Sequence, residues 1–382
     1  MTDFIDLPIA AWKEDGKDRS VLWISDSNLS APKHIIPVDD TLNADDAYNL
    51  ACEGRALLWR SDFQNAKQLL HAMSRRIDKS LTKRKSTKNS PSPSETFHLH
   101  RLAQLQRART LNSLLILVEN DYKIPLSRSP NAAEAIREAH PDINRPFLIS
   151  LRELLGLIGA HEWRKKGVKI PALNDFIYPH YGVFSPNRGE YIDLVANASI
   201  PSFDLAFDIG TGTGVLAAIM AKRGVRKIIA TELDSRAISC ASDNFCRLKI
   251  DHQIDLIQTD MFPAGKAPLV VCNPPWIPAK PSSSIEHAIY DPKSKMLWGF
   301  IEKLANHLTQ EGEGWLLLSD LAEHLNLRTR EELLFKIQNS GLRVVDRIDI
   351  KPNHPKSRDQ SDPLYHARIL EVTSLWKLRI AN

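Results

Sequence analysis

The chain has 382 residues, 43% hydrophobic and 25% charged, with 50 lysine and arginine against 46 aspartate and glutamate side chains. That composition excludes collagen-like, disulfide-scaffold and wholly disordered chains, and the length calls for two domains. No apolar run approaches the ~20 residues a membrane helix needs, MTDFIDLPIA lacks the basic start of a signal peptide, and Cys52, Cys240, Cys246 and Cys272 form no CxxC pair. A soluble protein of a reducing compartment, the cytoplasm, is expected, with no membrane partner.

Charge is unevenly spread. Residues 1–48 carry 4 basic and 10 acidic side chains, residues 49–180 carry 22 and 12, and residues 181–382 carry 24 of each. A middle segment at +10 suits either a solvated helical surface or a polyanionic partner. Within it, residues 47–77 place Leu50, Leu57, Leu58, Leu69, Leu70 and Met73 at helix-compatible spacings, and residues 96–122 and 145–167 repeat the pattern. Between the first two, residues 79–95 lose their apolar side chains and read as an exposed basic linker. Residues 1–175 are therefore expected to form a mainly helical substrate-recognition domain. His98 and His100, two apart, do not share a helix face, and no metal site is expected.

From about residue 203 the period changes. Strand-like runs at 205–210, 227–233, 253–260, 268–273 and 314–320 alternate with helix-like stretches at 214–223, 235–248, 295–310 and near 324–340. Such alternation means βαβ units and an α/β, doubly wound, mostly parallel sheet over residues 176–382. The runs 342–350 and 367–378 follow without a helix between them and read as a terminal strand pair joined by the polar loop 351–366. Ligands of such sheets sit beyond the carboxyl ends of the strands, so residues just after strands are the candidates.

Asp208-Ile209-Gly210-Thr211-Gly212-Thr213-Gly214 follows the first of these strands and opens a helix, and its glycines permit a tight turn close to a ligand. Glu232 ends the second strand, where a carboxylate can hold ribose hydroxyls, and Asp260, followed by Met261, ends the third. This order of glycine loop and acids resembles the class I S-adenosylmethionine-dependent methyltransferases over roughly residues 180–378. The resemblance implies a Rossmann-like, seven-stranded sheet and S-adenosylmethionine as cofactor. It implies that Asp208, Gly210, Thr211, Gly212 and Gly214 hold the methionine part, Glu232 the ribose, and Asp260 with Met261 the adenine.

Cys272-Asn273-Pro274-Pro275-Trp276 ends the fourth strand. A planar nitrogen is a poor nucleophile because its lone pair is delocalised. Two fixed acceptors that take both of its hydrogens favour the pyramidal form and stabilise the positive charge that develops on methyl transfer. The Asn273 side chain and the Pro274 backbone supply such carbonyls, Pro274-Pro275 stiffens the loop, and Trp276 gives a stacking face. The sequence resembles the NPPY-type N-methyltransferases, most of all the release-factor glutamine methyltransferases and their relatives that modify base amines in RNA or DNA. These often carry Tyr where Trp276 stands.

The resemblance implies transfer to a glutamine amide of a translation protein. The alternative is an adenine N6 or guanine N2 amine of RNA or DNA, which the basic 49–180 region, with Arg75, Arg76, Lys79, Lys83, Arg84, Lys85 and Lys88, would contact through phosphates. A catalytically inactive binding protein of the same fold is a lesser alternative. Phe184 and Pro186, in Tyr181–Pro186, match a segment that covers the cofactor in the family. The 289–295 stretch and the 351–366 loop, with His354, Lys356, Arg358 and His366, are candidates to face the substrate.

Overall fold

A computed structural model of the chain describes residues 8–27, 29–83, 91–353 and 359–381. The described part falls into two compact units, one formed by the chain up to Ser90 together with His98–Glu162, the other by Pro91–Phe97 and everything from Trp163 onward.

The first unit is built on β1 (Ile9–Glu14), β2 (Lys17–Trp23), β3 (Ile35–Val38), α1 (Ala44–Cys52), β4 (Ala56–Trp59), α2 (Phe63–Lys83), α3 (Pro93–Leu111), β5 (Leu114–Val118), α4 (Ala133–Ala139), β6 (Phe147–Ser150) and α5 (Leu151–Lys166). Its strands form one mixed six-stranded sheet in the order β1-β2-β6-β5-β4-β3. That sheet corrects the mainly helical reading of residues 1–175. Leu57 and Leu58 lie in β4, not in a helix; α1 ends before it, and Gly54 takes the left-handed φ of 84° that turns the chain. All four residues of β4 and of β6 are buried. Such short strands, apolar but for Ser150, have no alternation, so beside a helix they read as its continuation. The 79–95 stretch is likewise partly helical, since α2 runs to Lys83 and α3 starts at Pro93. Arg84, Lys85, Lys88, His354, Lys356 and Arg358 lie outside the described residues.

The second unit adds the small antiparallel pair β7 (Val168–Ile170) and β8 (Asp175–Ile177), then α6 (Glu190–Asn197), β9 (Leu205–Ile209), α7 (Val215–Lys222), β10 (Lys227–Glu232), α8 (Ser235–Leu248), β11 (Ile254–Gln258), β12 (Ala267–Cys272), α9 (Lys295–His307), β13 (Leu308–Ser319), α10 (Leu321–His324), α11 (Arg330–Asn339), β14 (Leu342–Ile350), α12 (Tyr365–Arg368) and β15 (Thr373–Ile380). Seven strands form a sheet in the order β11-β10-β9-β12-β13-β15-β14. The first five run parallel, and β15 is antiparallel to both of its neighbours. The expected doubly wound, mostly parallel sheet is thus present. The run expected as a strand from 367 starts only at Thr373, with α12 before it.

Period-two alternation sorts each strand onto two faces. Leu269, Val271, Trp315 and Leu317 join α6 and α7 on one side, while Val270, Cys272, Leu316 and Leu318 join α9 and α11 on the other. Both faces are apolar, as a sheet covered on both sides requires. The strand order reverses between β9 and β12, where β9 pairs with β10 on one flank and β12 on the other. Among the described residues, no helix is long and apolar enough to cross a membrane.

Candidate active site

Cys272 pairs with Ile209 in register, so the loops that leave β12 and β9 start side by side at the switch point. The β9 loop is a tight structure in which Gly210, Gly212 and Gly214 all have left-handed φ values, of 71°, 57° and 82°. Their surroundings differ. A Cβ on Gly214 would lie 2.4 Å from the Phe245 ring and one on Gly210 2.6 Å from Met296, whereas one on Gly212 would meet nothing within 4 Å. Two of these glycines therefore serve close packing, and the third faces open space.

Asp208 is buried beneath the loop. Its Oδ2 accepts from Thr211 Oγ1 at 2.6 Å and from the Ala217 amide at 3.1 Å, which ties the loop to the first turn of α7. Burial pushes its carboxyl from an ordinary 3.8 up to about 6, against the lowering effect of those two hydrogen bonds. Thr211, itself buried, spends its hydroxyl on Asp208. Both residues thus brace the loop that is expected to hold the cofactor. Glu232 spans the next gap, with Oε2 accepting from the Gly212 amide at 3.0 Å and Oε1 from the amides of Leu233 and Asp234. Its carboxylate is held on the Gly212 amide, while the side of Gly212 where a Cβ would stand is open. Asp260 is exposed beyond β11. Met261 takes a left-handed φ of 74°, its carbonyl accepts from Thr231 Oγ1 at 2.6 Å, and its side chain packs on the α9 side of the core.

Several residues that shape this site carry no motif. Asn244 on α8 is fully buried, accepts from the Tyr178 amide at 2.9 Å and donates to the Thr213 carbonyl at 3.0 Å. It lies on the same helix face as Ala237, Cys240 and Ala241, and a polar residue on an apolar stripe was the available signal. Val183 packs against Ala237 and Cys240, which lays the Tyr181–Pro186 segment along α8. Phe184 in it is half-buried and Pro186 buried. Arg188 donates to the buried carboxylate of Glu371, which also accepts at 2.7 Å from the Oγ of Ser319, the last residue of β13.

The loop after β12 is held from all sides. Trp276 Nε1 donates to Asn273 Oδ1 at 2.9 Å. Ile277 exchanges backbone hydrogen bonds with the 289–291 stretch, at 3.2 Å to the Ile289 carbonyl and 2.8 Å from the Asp291 amide. Buried Asp291 accepts from the Met296 and Leu297 amides that open α9. Phe97, Leu321, Leu325, Leu364 and Ala367 pack with Ile277 and Trp276. The 289–295 stretch thus abuts the loop, while His366 is exposed on the 359–371 segment whose Leu364 and Ala367 back it. Burial pushes the Cys272 thiol well above its ordinary range, so it stays protonated and inert at neutral pH.

A family model for the ribosomal protein L11 methyltransferase (PrmA) matches residues 196–291. A tRNA1(Val) (adenine(37)-N6)-methyltransferase of Cytophaga hutchinsonii is 32% identical over 197 residues, which cover 45% of this chain and 82% of that protein. The chain belongs to the S-adenosylmethionine-dependent N-methyltransferases. A protein N5-glutamine methyltransferase of Methanocaldococcus jannaschii is 26% identical to this methyltransferase over 172 residues, 42% of the chain and 85% of the relative. The solved ribosomal protein L11 methylase of Lactobacillus delbrueckii subsp. bulgaricus aligns with a TM-score of 0.38 at 17% identity, covering 55% of this chain and 87% of that one.

The cofactor of the methyltransferase is S-adenosylmethionine, and the residues present fit such a group. The open face of Gly212 gives it room, the Glu232 carboxylate held on the Gly212 amide is an acceptor for paired hydroxyls, and exposed Asp260 ends the adjoining strand.

Proposed function

We propose that this methyltransferase modifies a primary, planar nitrogen held by the Asn273 side-chain carbonyl and the Pro274 backbone carbonyl. The observation that carries the reading is the register of β9 and β12, which starts the acceptor loop beside the glycine loop. S-adenosylmethionine supplies a methyl carbon made electrophilic by its sulfonium. Glu232 and Asp260 would hold its ribose and adenine ends, and the glycine loop braced by Asp208 and Thr211 would hold the rest. Asn273 and Pro274 accept the two N–H hydrogens of the target and turn its lone pair out of conjugation. Their fixed dipoles would favour the nitrogen as its lone pair takes the methyl and the sulfur–methyl bond breaks, leaving a neutral thioether; the extra proton would then pass from nitrogen to water, and Pro275 keeps the loop from relaxing. Trp276 offers a face to a planar target.

The target we infer is an exocyclic base amine of structured RNA, adenine N6 foremost. Support comes from the relative with 82% of its length matched at 32% identity, an adenine-N6 enzyme, and from the +10 balance of residues 49–180. A paired base has to leave its stack to reach Asn273. A glutamine amide of a translation protein is the second reading, favoured by the relative from M. jannaschii, 85% of whose length is matched. The four cysteines are unpaired, which suits a reducing compartment such as the cytoplasm.

The test is transfer of labelled methyl from S-adenosylmethionine into a lysate of a strain lacking the gene, followed by separate protease and nuclease treatment. Label lost to nuclease is the expected result; label lost to protease transfers the assignment to the glutamine amide. Asn273→Ala should reduce transfer about 10²-fold, the scale of losing one preorganised polar group, and leave calorimetric cofactor affinity unchanged. Transfer near the wild-type rate would remove Asn273 from the chemistry.

A further inference from the structure

We infer that Trp276 is a positioning residue as well as a stacking surface: its indole N–H fixes the orientation of the Asn273 amide, and Arg328 in turn fixes Trp276. The inference rests on the reading of Asn273 as an acceptor for the target nitrogen.

An asparagine side chain has two ends of nearly equal shape, one that accepts hydrogen bonds and one that donates them. Unless something distinguishes them, a flip presents the target N–H groups with another N–H. An indole N–H is a donor only, so at 2.9 Å from Asn273 it tolerates just the carbonyl end. The carbonyl has two lone pairs. Trp276 occupies one and leaves the other, with the Pro274 carbonyl, for the two hydrogens of a primary nitrogen.

The indole is itself held. Trp276 packs against three separate apolar clusters, one on each face of the sheet and one around Ile277, Leu321 and Leu364. Its backbone carbonyl accepts from Arg328 Nη1 at 3.4 Å. Arg328, between α10 and α11, is only 4% exposed, and its Nε and Nη2 are buried without a partner among the described residues. Of the carboxylates that act on it from nearby, Glu323, Glu332 and Asp291, none makes a described ion pair with it; Glu323 is bound by Arg330 and Asp291 by the amides that open α9. A buried cation left without a paired carboxylate is costly, and its one described bond goes to the acceptor loop. A phenylalanine at 276 supplies a ring and no N–H, so it separates stacking from positioning.

The experiment compares full-length wild type, Trp276→Phe, Arg328→Gln and Asn273→Ala, with total RNA from the gene-deleted strain as probe. Trp276→Phe should lower kcat about tenfold, the fold-change of one lost hydrogen bond of roughly 1.4 kcal/mol, with KM within about threefold and cofactor affinity unchanged. Arg328→Gln should move kcat in the same direction by a smaller factor. A Trp276→Phe kcat at or above the wild-type value overturns the inference, because the indole would then be blocking Asn273; so does an effect confined to KM, which is stacking alone. Wild type inert on RNA, or Asn273→Ala as active as wild type, counts instead against the proposed substrate or chemistry. The positioning claim is then decided without substrate, by nitrogen-15 spectra of the tryptophan indoles with cofactor bound. The resonance that Trp276→Phe removes should exchange slowly in wild type and at least tenfold faster in Asn273→Ala; equal exchange in the two overturns it.

Discussion

Asp208 is a buried acid that braces the glycine loop from beneath. Its carboxyl is raised to about 6 by burial, so between its ordinary 3.8 and about 6 the folded chain holds a proton that the unfolded chain has released. The stabilisation this represents is complete below pH ~4 and is lost as pH rises through about 6, on the order of 3 kcal/mol for a shift of this size. Asp208→Asn retains an acceptor for Thr211 Oγ1 and the Ala217 amide but cannot titrate. Thermal unfolding followed from pH 4 to pH 7 should therefore slope downward in wild type more steeply than in Asp208→Asn. Parallel profiles would assign the titration elsewhere.

The glycine loop divides its labour among residues that look alike. Gly214→Ala drives a methyl into the Phe245 ring at a φ of 82°, so it should lower the melting temperature and weaken cofactor binding together. Gly212→Ala meets open space and incurs only the left-handed backbone cost of about 1–2 kcal/mol. It should leave the fold largely intact and reduce cofactor affinity, because its methyl would stand where we place the ligand. Calorimetry on both variants checks this, and equal loss of binding and stability in both would remove the distinction. Asn244→Ala strands the Tyr178 amide and the Thr213 carbonyl, and should destabilise the unit by about 1–3 kcal/mol.

The catalytic unit was legible in its sequence because its strands are separated from its helices by glycines, acids and prolines that interrupt the period. Asp208, Glu232 and Asn273 could be located for the same reason: each ends a strand. The roles of Asp208 and Thr211 were not, since a strand-end acid looks the same whether it faces in or out. The first unit was misread where β4, β5 and β6 run into helices as three to five continuous apolar residues. One signal there was legible and went unused: Asp15-Gly16, both at positive φ, joins the alternating runs of β1 and β2 as a tight hairpin. Arg328 left no mark, because a lone arginine before a helix is ordinary on any surface.

For the whole molecule, two compact units of different composition predict departure from a single unfolding transition. With S-adenosylmethionine placed, as we propose, on the second unit, at about 100 times its dissociation constant it should raise that unit's transition by roughly 2.7 kcal/mol and leave the other in place. Scanning calorimetry with and without cofactor reads this directly; a single transition that shifts as one would mean that the units melt together.

The strand order carries a temporal consequence. β14 pairs only with β15, and β15 lies between β13 and β14 although it is made after both. During synthesis, β13 therefore waits with a bare row of backbone donors and acceptors while β14, already emerged, has no strand to join. For those seconds the nascent chain presents an open template for any passing extended segment. Residues 351–372 have to be made before the strand that covers that template exists.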